Sequence, residues 1–219
     1  MPCASWLTPA LHDDWRQGGF GLYVHWPFCQ SKCPYCDFNS HKAEPELPED
    51  AYVRALIEDL KIDAEFCSGR KLSSIFIGGG TPSLFSSAAI GRVLDAAQSI
   101  VGFSDDIEIT LEANPGTFEQ EKFSGYREVG VNRLSIGIQS FNDAQLHHLG
   151  RIHSGGEAVA AVAMARAAGF DNINLDLMHG LPEQSLQQGL DDLRQGLALK
   201  PEHLSWYQLT IEQNTEFYS

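Results

Sequence analysis

No stretch of this sequence approaches the roughly 20 apolar residues that a membrane-spanning helix requires; its longest apolar runs are strand-sized. The first nineteen residues, MPCASWLTPALHDDWRQGG, have neither a basic lead nor an apolar run, so they do not read as a secretory leader. Basic residues are scarce too. Against 29 aspartates and glutamates stand 15 lysines and arginines, and the resulting net charge of −14 would repel a nucleic-acid backbone. No GxGxxG follows the first strand-like run and no GxxxxGK[ST] occurs anywhere, which removes the two common phosphate-binding loops. An HExxH zinc-protease signature is also missing. Five cysteines, an odd number with three crowded together, do not form the paired framework of a small secreted domain. These absences lead to the expectation of a cytoplasmic protein with no nucleic-acid partner and no transmembrane segment, in which the clustered thiols hold metal.

What is present is a regular alternation of two periodicities. At 219 residues and 43% hydrophobic content the chain can bury a full core and lies at the upper end of one domain. Strand-like runs at 20–26, 72–78, 106–113, 132–140, 172–180 and 203–210 begin roughly 35 residues apart, the spacing of βα units. Their apolar content reads as burial on both faces, as in parallel sheets. Helical patterns lie between them. Tyr52, Leu56, Ile57, Leu60 and Ala64 recur at helical spacing behind a cap at Glu49 or Asp50, and further helices are expected at 86–101, at 117–130 closed by Gly130, at 154–169 and at 185–199. Polar residues recur at corresponding strand ends: Gly79 to Thr81, Glu112 with Asn114, Gln139, Asp176, and Gln208 with Thr210. In a (βα) barrel such ends form one mouth, whereas a complete eight-fold barrel takes about 250 residues. The expected fold is therefore α/β, a partial (βα)6 TIM-like barrel of parallel strands over residues 20–219, preceded by an N-terminal segment, 1–19.

The stretch VHWPFCQSKCPYCDF, residues 24–38, places Cys29, Cys33 and Cys36 in one tight loop and supplies no fourth cysteine. Structural zinc takes four ligands, so a zinc module would need His25 or His41 to complete the set. Buried structural thiols seldom crowd in this way. An iron–sulfur cluster normally takes four cysteines as well; with three, one iron stays open, and the vacancy becomes a place for a substrate.

The spacing C-x3-C-x-aromatic-C, here CQSKCPYC with Tyr35 as the aromatic residue, resembles the signature of the radical S-adenosylmethionine superfamily. With LYVHWPFC, GGGTPS, LEANPG, GIQSFND, LGRIHS, LDLMHGLP and LSWYQLTIE, about residues 20 to 213 are similar in order and spacing to the oxygen-independent coproporphyrinogen III oxidase family, and most of all to its haem-chaperone, or HemW, branch. The resemblance implies a [4Fe–4S] cluster on Cys29, Cys33 and Cys36 whose open iron chelates S-adenosylmethionine, from which a reduced cluster generates a 5′-deoxyadenosyl radical. It also implies a ligand site. The backbone of Gly79, Gly80 and Thr81 would approach the methionine ammonium, Glu112 would be a ligand-binding acid, and Gln139 would contact the adenosyl group. Arg151 would suit the methionine carboxylate, Asp176 would face the mouth, and Tyr23 and Tyr35 would pack near the adenine and the cluster. Thr210 falls on a further contact position, and His25 becomes a candidate for tuning the cluster from behind its ligands. Without the resemblance, Glu112 reads equally well as half of an ion pair with Arg133.

Position 38 separates two functions within that family. Its decarboxylating oxidases carry an additional cysteine in C-x3-C-x2-C-x-C, whereas this chain has Phe38 there. The expected function is therefore a haem chaperone that binds haem and passes it to an acceptor protein, with an electron donor as a further partner. The alternatives are the oxidative decarboxylase of porphyrin biosynthesis and a zinc-holding module without radical chemistry. The sequence leaves open whether the chain is an enzyme at all. In the family a C-terminal domain follows the barrel; it has no counterpart in these 219 residues, so a partial chain is expected.

Overall fold

The computed structural model describes residues 18–67, 69–116 and 122–219. Six strands form its main sheet: β1 (Gly21–Trp26), β2 (Leu72–Gly79), β3 (Phe103–Ala113), β4 (Arg133–Gln139), β5 (Ile173–His179) and β6 (His203–Gln208). The helices among the described residues are α1 (Glu49–Asp63), α2 (Ser87–Ile100), α3 (Phe123–Glu128), α4 (Asp143–His148), α5 (Gly155–Ala167) and α6 (Leu186–Ala198). Most of the expected N-terminal segment, and residues 117–121 of the expected third helix, lie outside the described residues.

Every strand pairs in parallel with the next in sequence, in the order β1 to β6 without reversal. A doubly wound sheet would reverse at a switch point, whereas a barrel requires this monotonic order. The outer strands β1 and β6 each have one partner strand, so the sheet is an open, partial barrel. Successive helices touch one another, α1 on α2, α2 on α3 and α3 on α5, which makes them one layer on one side.

Burial on both faces holds for the central strands β4 and β5, where residues of both alternations are buried, but this layering makes only one face the apolar core. Val24 and Trp26, Ile75 and Ile77, Ile109 and Leu111, Leu134, Ile136 and Ile138, and Leu175 and Leu177 join a single core with Val53, Ile90, Val93, Phe123 and Val162 of the helices. Successive side chains of a strand point to opposite faces. The alternate positions His25, Glu112, Ser135, Asp176 and Tyr207 therefore face the lumen, and that face is polar.

Local signals start and stop the helices. Ser86, Ser154 and Ser185 accept the third-residue amides of α2, α5 and α6, and the last two complete capping boxes with Glu157 and Gln188. Gly130, at φ +106°, closes α3 as expected, because that backbone region suits glycine. The cap expected for α1 is not formed. Pro48 holds the cap position without a side-chain bond. Glu49 instead accepts the Ser86 amide at 2.8 Å and the Ser86 hydroxyl at 2.6 Å, tying the start of α1 to the start of α2. Asp50 pairs with Arg92.

One part of the core supports the site directly. Trp26, fully buried, packs against Phe85 with ring centroids 3.9 Å apart and against Tyr52 at 5.3 Å; Phe28 closes the cluster on Tyr52, also at 5.3 Å. Such aromatic pairs contribute about 0.5–1.5 kcal/mol each beyond their buried area. They fix the end of β1, from which the cysteine loop departs. Among the described residues no helix is long and apolar enough to cross a membrane.

Candidate functional site

The cysteine loop is clasped at its base. Phe28–Cys29 pairs in parallel with His41–Lys42, the His41 amide donates to Pro27 at 2.6 Å, and the Ala43 amide donates to Cys29 at 2.8 Å. Inside the loop the Cys36 amide closes a turn on the Cys33 carbonyl at 3.0 Å, and Lys32 donates to the Ser40 carbonyl at 3.1 Å. Cys29 is buried, Cys33 and Cys36 are half-buried, and all three are free thiols. Burial pushes the Cys29 thiol up, contacts with Ser40 and Thr81 pull it down, and the neighbouring Cys36 and Cys33 push it up again.

Neither histidine that a zinc site would need is available. His25 Nδ1 lies 3.1 Å from the Tyr23 hydroxyl and its Nε2 donates to the Asn39 carbonyl at 2.9 Å, while His41 is an exposed member of the clasp. Among the described residues no three His, Cys, Asp or Glu side chains converge on a position for one ion. The three thiols instead line the wall of one cavity of about 510 Å³. That arrangement fits a multi-iron cluster, whose ligands hold separate corners, better than a single tetrahedral ion.

The glycine-rich turn after β2 lies against this loop. Gly79 sits at φ +117° and donates its amide to Glu112 Oε2 at 3.1 Å; the Gly80 amide donates to Trp26 at 2.6 Å and the Thr81 amide to Phe28 at 2.8 Å. A Cβ on Gly79 would stand 2.7 Å from the His25 ring. One on Gly80 would stand 2.6 Å from the Phe28 carbonyl and 3.0 Å from Cys29 Sγ. The side-chain space is thus taken by β1 at Gly79 and by the cysteine loop at Gly80, so close packing of protein on protein already requires both glycines, before any ligand is considered.

A chain of hydrogen bonds then joins four segments. Asn114 Nδ2 donates to Thr81 Oγ1 at 3.1 Å, and Arg151 Nη2 donates to Asn114 Oδ1 at 2.6 Å and to the Gly137 carbonyl at 2.9 Å. Arg151 Nη1 donates to Cys33 Sγ at 3.5 Å. Burial works against the guanidinium charge, and Tyr35 and Cys33 beside it more than offset this, holding its pKa above the ordinary value. Arg151 therefore already serves the cysteine loop. The residue just before it, Gly150 at φ +67°, packs against Pro34 so closely that a Cβ would stand 2.5 Å from the proline ring.

Opposite this chain lie the carboxylates. Among the described residues Glu112 has no cationic partner: Arg133, the alternative partner for it, lies 3.9 Å from Glu108 and donates to Thr110 at 3.2 Å, because Arg133 stands at the opposite end of its strand from the mouth. Burial raises the Glu112 carboxyl to about 7, against the Gly79 amide that lowers it, with the Asp176 charge adding to the rise. Asp176 accepts from Ser135 at 2.8 Å and from Asn174 at 2.9 Å, and burial raises it as well. Gln139, at φ +68°, accepts a hydrogen bond from the Tyr207 hydroxyl at 2.7 Å. Burial, with Asp176 nearby, pushes that hydroxyl up to about 12.

The cavity wall includes every expected site residue except Tyr23. Tyr23 is 57% exposed and lies against Phe76, 6.2 Å between ring centroids, outside the lining. Tyr35 is in the wall, with its ring 6.2 Å from that of Phe217, and burial drives its hydroxyl up. Sequence reasoning did not single out Tyr207, Ser135 or Ser40 as site residues. Strand alternation carried a signal for Tyr207, since Ser205, the strand partner of Asp176, shares its face. His153 is buried with Nε2 donating to the Ile138 carbonyl at 3.0 Å, and burial beside Arg151 lowers its pKa to about 4.

A pH dependence follows from Glu112. Its folded pKa is raised, so the native protein holds the proton more tightly than the unfolded chain, and the stability tied to it is present below the ordinary carboxylate range and lost as pH rises through about 7. Thermal melts at pH 5 and pH 8 are expected to differ less in Glu112→Gln than in the unaltered protein. An equal difference in both would refute the assignment.

Comparison with known proteins adds the following. Residues 23–195 match the family model described as the radical SAM superfamily. The chain is 56% identical over 200 residues to heme chaperone HemW of Haemophilus influenzae and 54% identical over 198 residues to that of Escherichia coli, covering 90% of this chain and 52% of each relative. It is 41% identical to the mouse mitochondrial radical S-adenosyl methionine domain-containing protein 1, covering 90% of this chain and 45% of the relative. Among solved structures, coproporphyrinogen III oxidase (HemN) from Escherichia coli, described as a radical SAM enzyme, superposes with a TM-score of 0.80 at 32% identity, over 88% of this chain and 44% of that one. The chain spans about half the length of the curated relatives it matches.

Proposed function

The chain belongs to the radical SAM superfamily, and from that premise we propose that it forms the cluster- and S-adenosylmethionine-binding part of a HemW-type haem chaperone. Cys29, Cys33 and Cys36 would hold a [4Fe–4S] cluster by three irons. When bound, such a cluster supplies one-electron chemistry at the sulfonium of S-adenosylmethionine.

The remaining residues prepare the cavity for that ligand. Glu112, with no cation beside it and a carboxyl near the point of ionisation, would give up its proton when the ligand's positive charge arrives, which favours binding above about pH 7. The Gly79, Gly80 and Thr81 backbone and Thr210 line the same cavity. Gln139 and Asp176 would offer an amide and a carboxylate to the adenosyl group. Arg151 balances the charge of the cysteine sulfurs and would meet the methionine carboxylate with donors left over from Cys33, Asn114 and Gly137. Tyr35, packed with Leu209 and Phe217 against Leu149, Met178 and Leu181, would keep water from one side of the cluster. Tyr23 lies outside the lining, where burial and then the Glu112 charge raise its hydroxyl above the ordinary value.

One observation favours the chaperone over the decarboxylase. Phe38 is 61% exposed in the wall of this cavity, at the position where the decarboxylases of the family carry a further cysteine. Haem, an acceptor protein for it and an electron donor are the partners this reading takes, in the cytoplasm. The test is anaerobic. The reduced, cluster-loaded full-length protein is expected to bind haem, seen as a Soret band that saturates, and to form no protoporphyrinogen from coproporphyrinogen. Measured decarboxylation, or no haem binding, would overturn the proposal. HemN, the solved relative at a TM-score of 0.80, supports the second reading, and the same product assay decides between the two.

A further inference from the structure

The buried stripe of α6 is unusual for a helix on a sheet, because Gly189, Asp192 and Gly196 face inward while Leu186 and Leu197 are exposed. A Cβ on Gly196 would stand 2.9 Å from Leu177 and 3.2 Å from Leu204, and 3.8 Å from the ring of Phe141. The glycine lets α6 approach β5 and β6 closely and carries Asp192, one turn earlier on the same face, against the end of β4.

There Asp192, only 3% exposed, has both oxygens engaged. Oδ1 accepts the Phe141 amide at 2.7 Å and Oδ2 accepts the Ser140 hydroxyl at 2.7 Å. Ser140 Oγ in turn accepts the Asn142 amide at 3.0 Å, and Asn142 caps α4. This turn directly follows Gln139, which is held at φ +68°, a left-handed conformation uncommon for a residue with a side chain. Gln139 Nε2 lies over Gly137, 3.1 Å from where a Cβ would be, and Oε1 takes the Tyr207 hydroxyl. A buried carboxylate is costly unless its hydrogen bonds are made, and here they are spent on the two residues that follow Gln139.

We propose that Asp192 is a positioning residue: from outside the cavity it clamps the Ser140–Phe141 turn, so that Gln139 keeps its left-handed backbone and presents its amide, with Tyr207, to the ligand. This rests on the reading that the cavity binds S-adenosylmethionine. Its test uses the cluster-loaded protein and reads binding as the change that S-adenosylmethionine makes in the electron paramagnetic resonance of the reduced cluster, titrated to an apparent Kd. Asp192→Ala is expected to weaken binding by about tenfold, the scale of a lost hydrogen bond to a charged group, with iron and sulfide content unchanged. Asp192→Asn keeps an acceptor for the Phe141 amide and a partner for the Ser140 hydroxyl, and is expected to stay within about threefold of the unaltered protein. Gln139→Ala combined with Asp192→Ala should lose no more than Gln139→Ala alone, because the two act through one group. Additive losses, or equal binding by Asp192→Ala and the unaltered protein, would overturn the proposal. If Asp192→Ala does not fold, Ser140→Ala, which removes one of the two clamp bonds, carries the same expectation and the same refutation. An unaltered protein whose spectrum does not respond to S-adenosylmethionine refutes the reading of the cavity instead.

Discussion

Cys33→Ala is expected to leave the protein unable to retain a [4Fe–4S] cluster after anaerobic reconstitution, with iron and sulfide at background. Partners behind a metal ligand typically change affinity by about 10–100-fold when mutated, and loss of a ligand exceeds that. With three thiols on the cavity wall, no other side chain among the described residues stands ready to replace Cys33. Cys33 is also the sulfur that Arg151 contacts, so its removal leaves a half-buried guanidinium without one of its partners. Cys29→Ala and Cys36→Ala should behave alike. Cys67→Ala is the control: its thiol donates to the Asp63 carbonyl at the end of α1, away from the cavity, and cluster content should not change. Iron and sulfide analysis decides the matter, and a Cys33→Ala protein that keeps both at the normal ratio would remove the proposed ligand set.

Gly80→Val is expected to lower both stability and cluster yield while leaving the thiols in place. The added Cβ alone would sit 2.6 Å from the Phe28 carbonyl and 3.0 Å from Cys29 Sγ. Neither can yield cheaply. The carbonyl already accepts the Thr81 amide at 2.8 Å, and Cys29 is locked in the clasp with Ala43. Overpacking of this kind costs about 1–3 kcal/mol, and a protein of this size loses roughly 2–4 °C in melting temperature per kcal/mol. Relieving the strain means moving the peptide between Phe28 and Cys29, and Cys29 with it, so cluster yield should fall together with the melting temperature. Gly156→Ala, in α5, is the matched control because the nearest atom to its Cβ is Ser154 Oγ at 3.8 Å; the melting temperature should hold or rise slightly, as alanine favours a helix. Equal behaviour of the two variants would mean that Gly80 is a turn residue without a packing role.

Much of the site was legible in the sequence because its residues occur at strand ends. A residue at the end of a parallel barrel strand faces the mouth whatever its neighbours are, so Glu112, Gln139 and Asp176 could be placed from spacing, and all three line the cavity. The three cysteines were legible for a similar reason: eight residues of loop confine them. Pairings between strands were not legible. The alternative ion pair between Glu112 and Arg133 is not formed because β3 and β4 are staggered so that Arg133 stands opposite Thr110, two residues before Glu112. The helix cap expected at Glu49 or Asp50 fails because α2 presents Ser86, a better partner for the Glu49 carboxylate than its own backbone. Tyr23 falls outside the cavity because β1 is an edge strand whose lumen-facing side chains turn toward Phe76 and solvent.

Periodicity, turn chemistry and the spacing of thiols are properties of neighbours along the chain, and through them the sequence alone determined six parallel βα units, a three-cysteine loop at the first strand end and a ring of polar strand ends. Whether a carboxylate is paired, which way a glycine faces and how a helix meets a strand depend on atoms far apart in sequence. Those matters the tertiary structure decided: Glu112 left without a cation, Gly80 filled by the cysteine loop, and Asp192 buried beneath the Gln139 turn, since each is fixed by register and close packing rather than by local pattern.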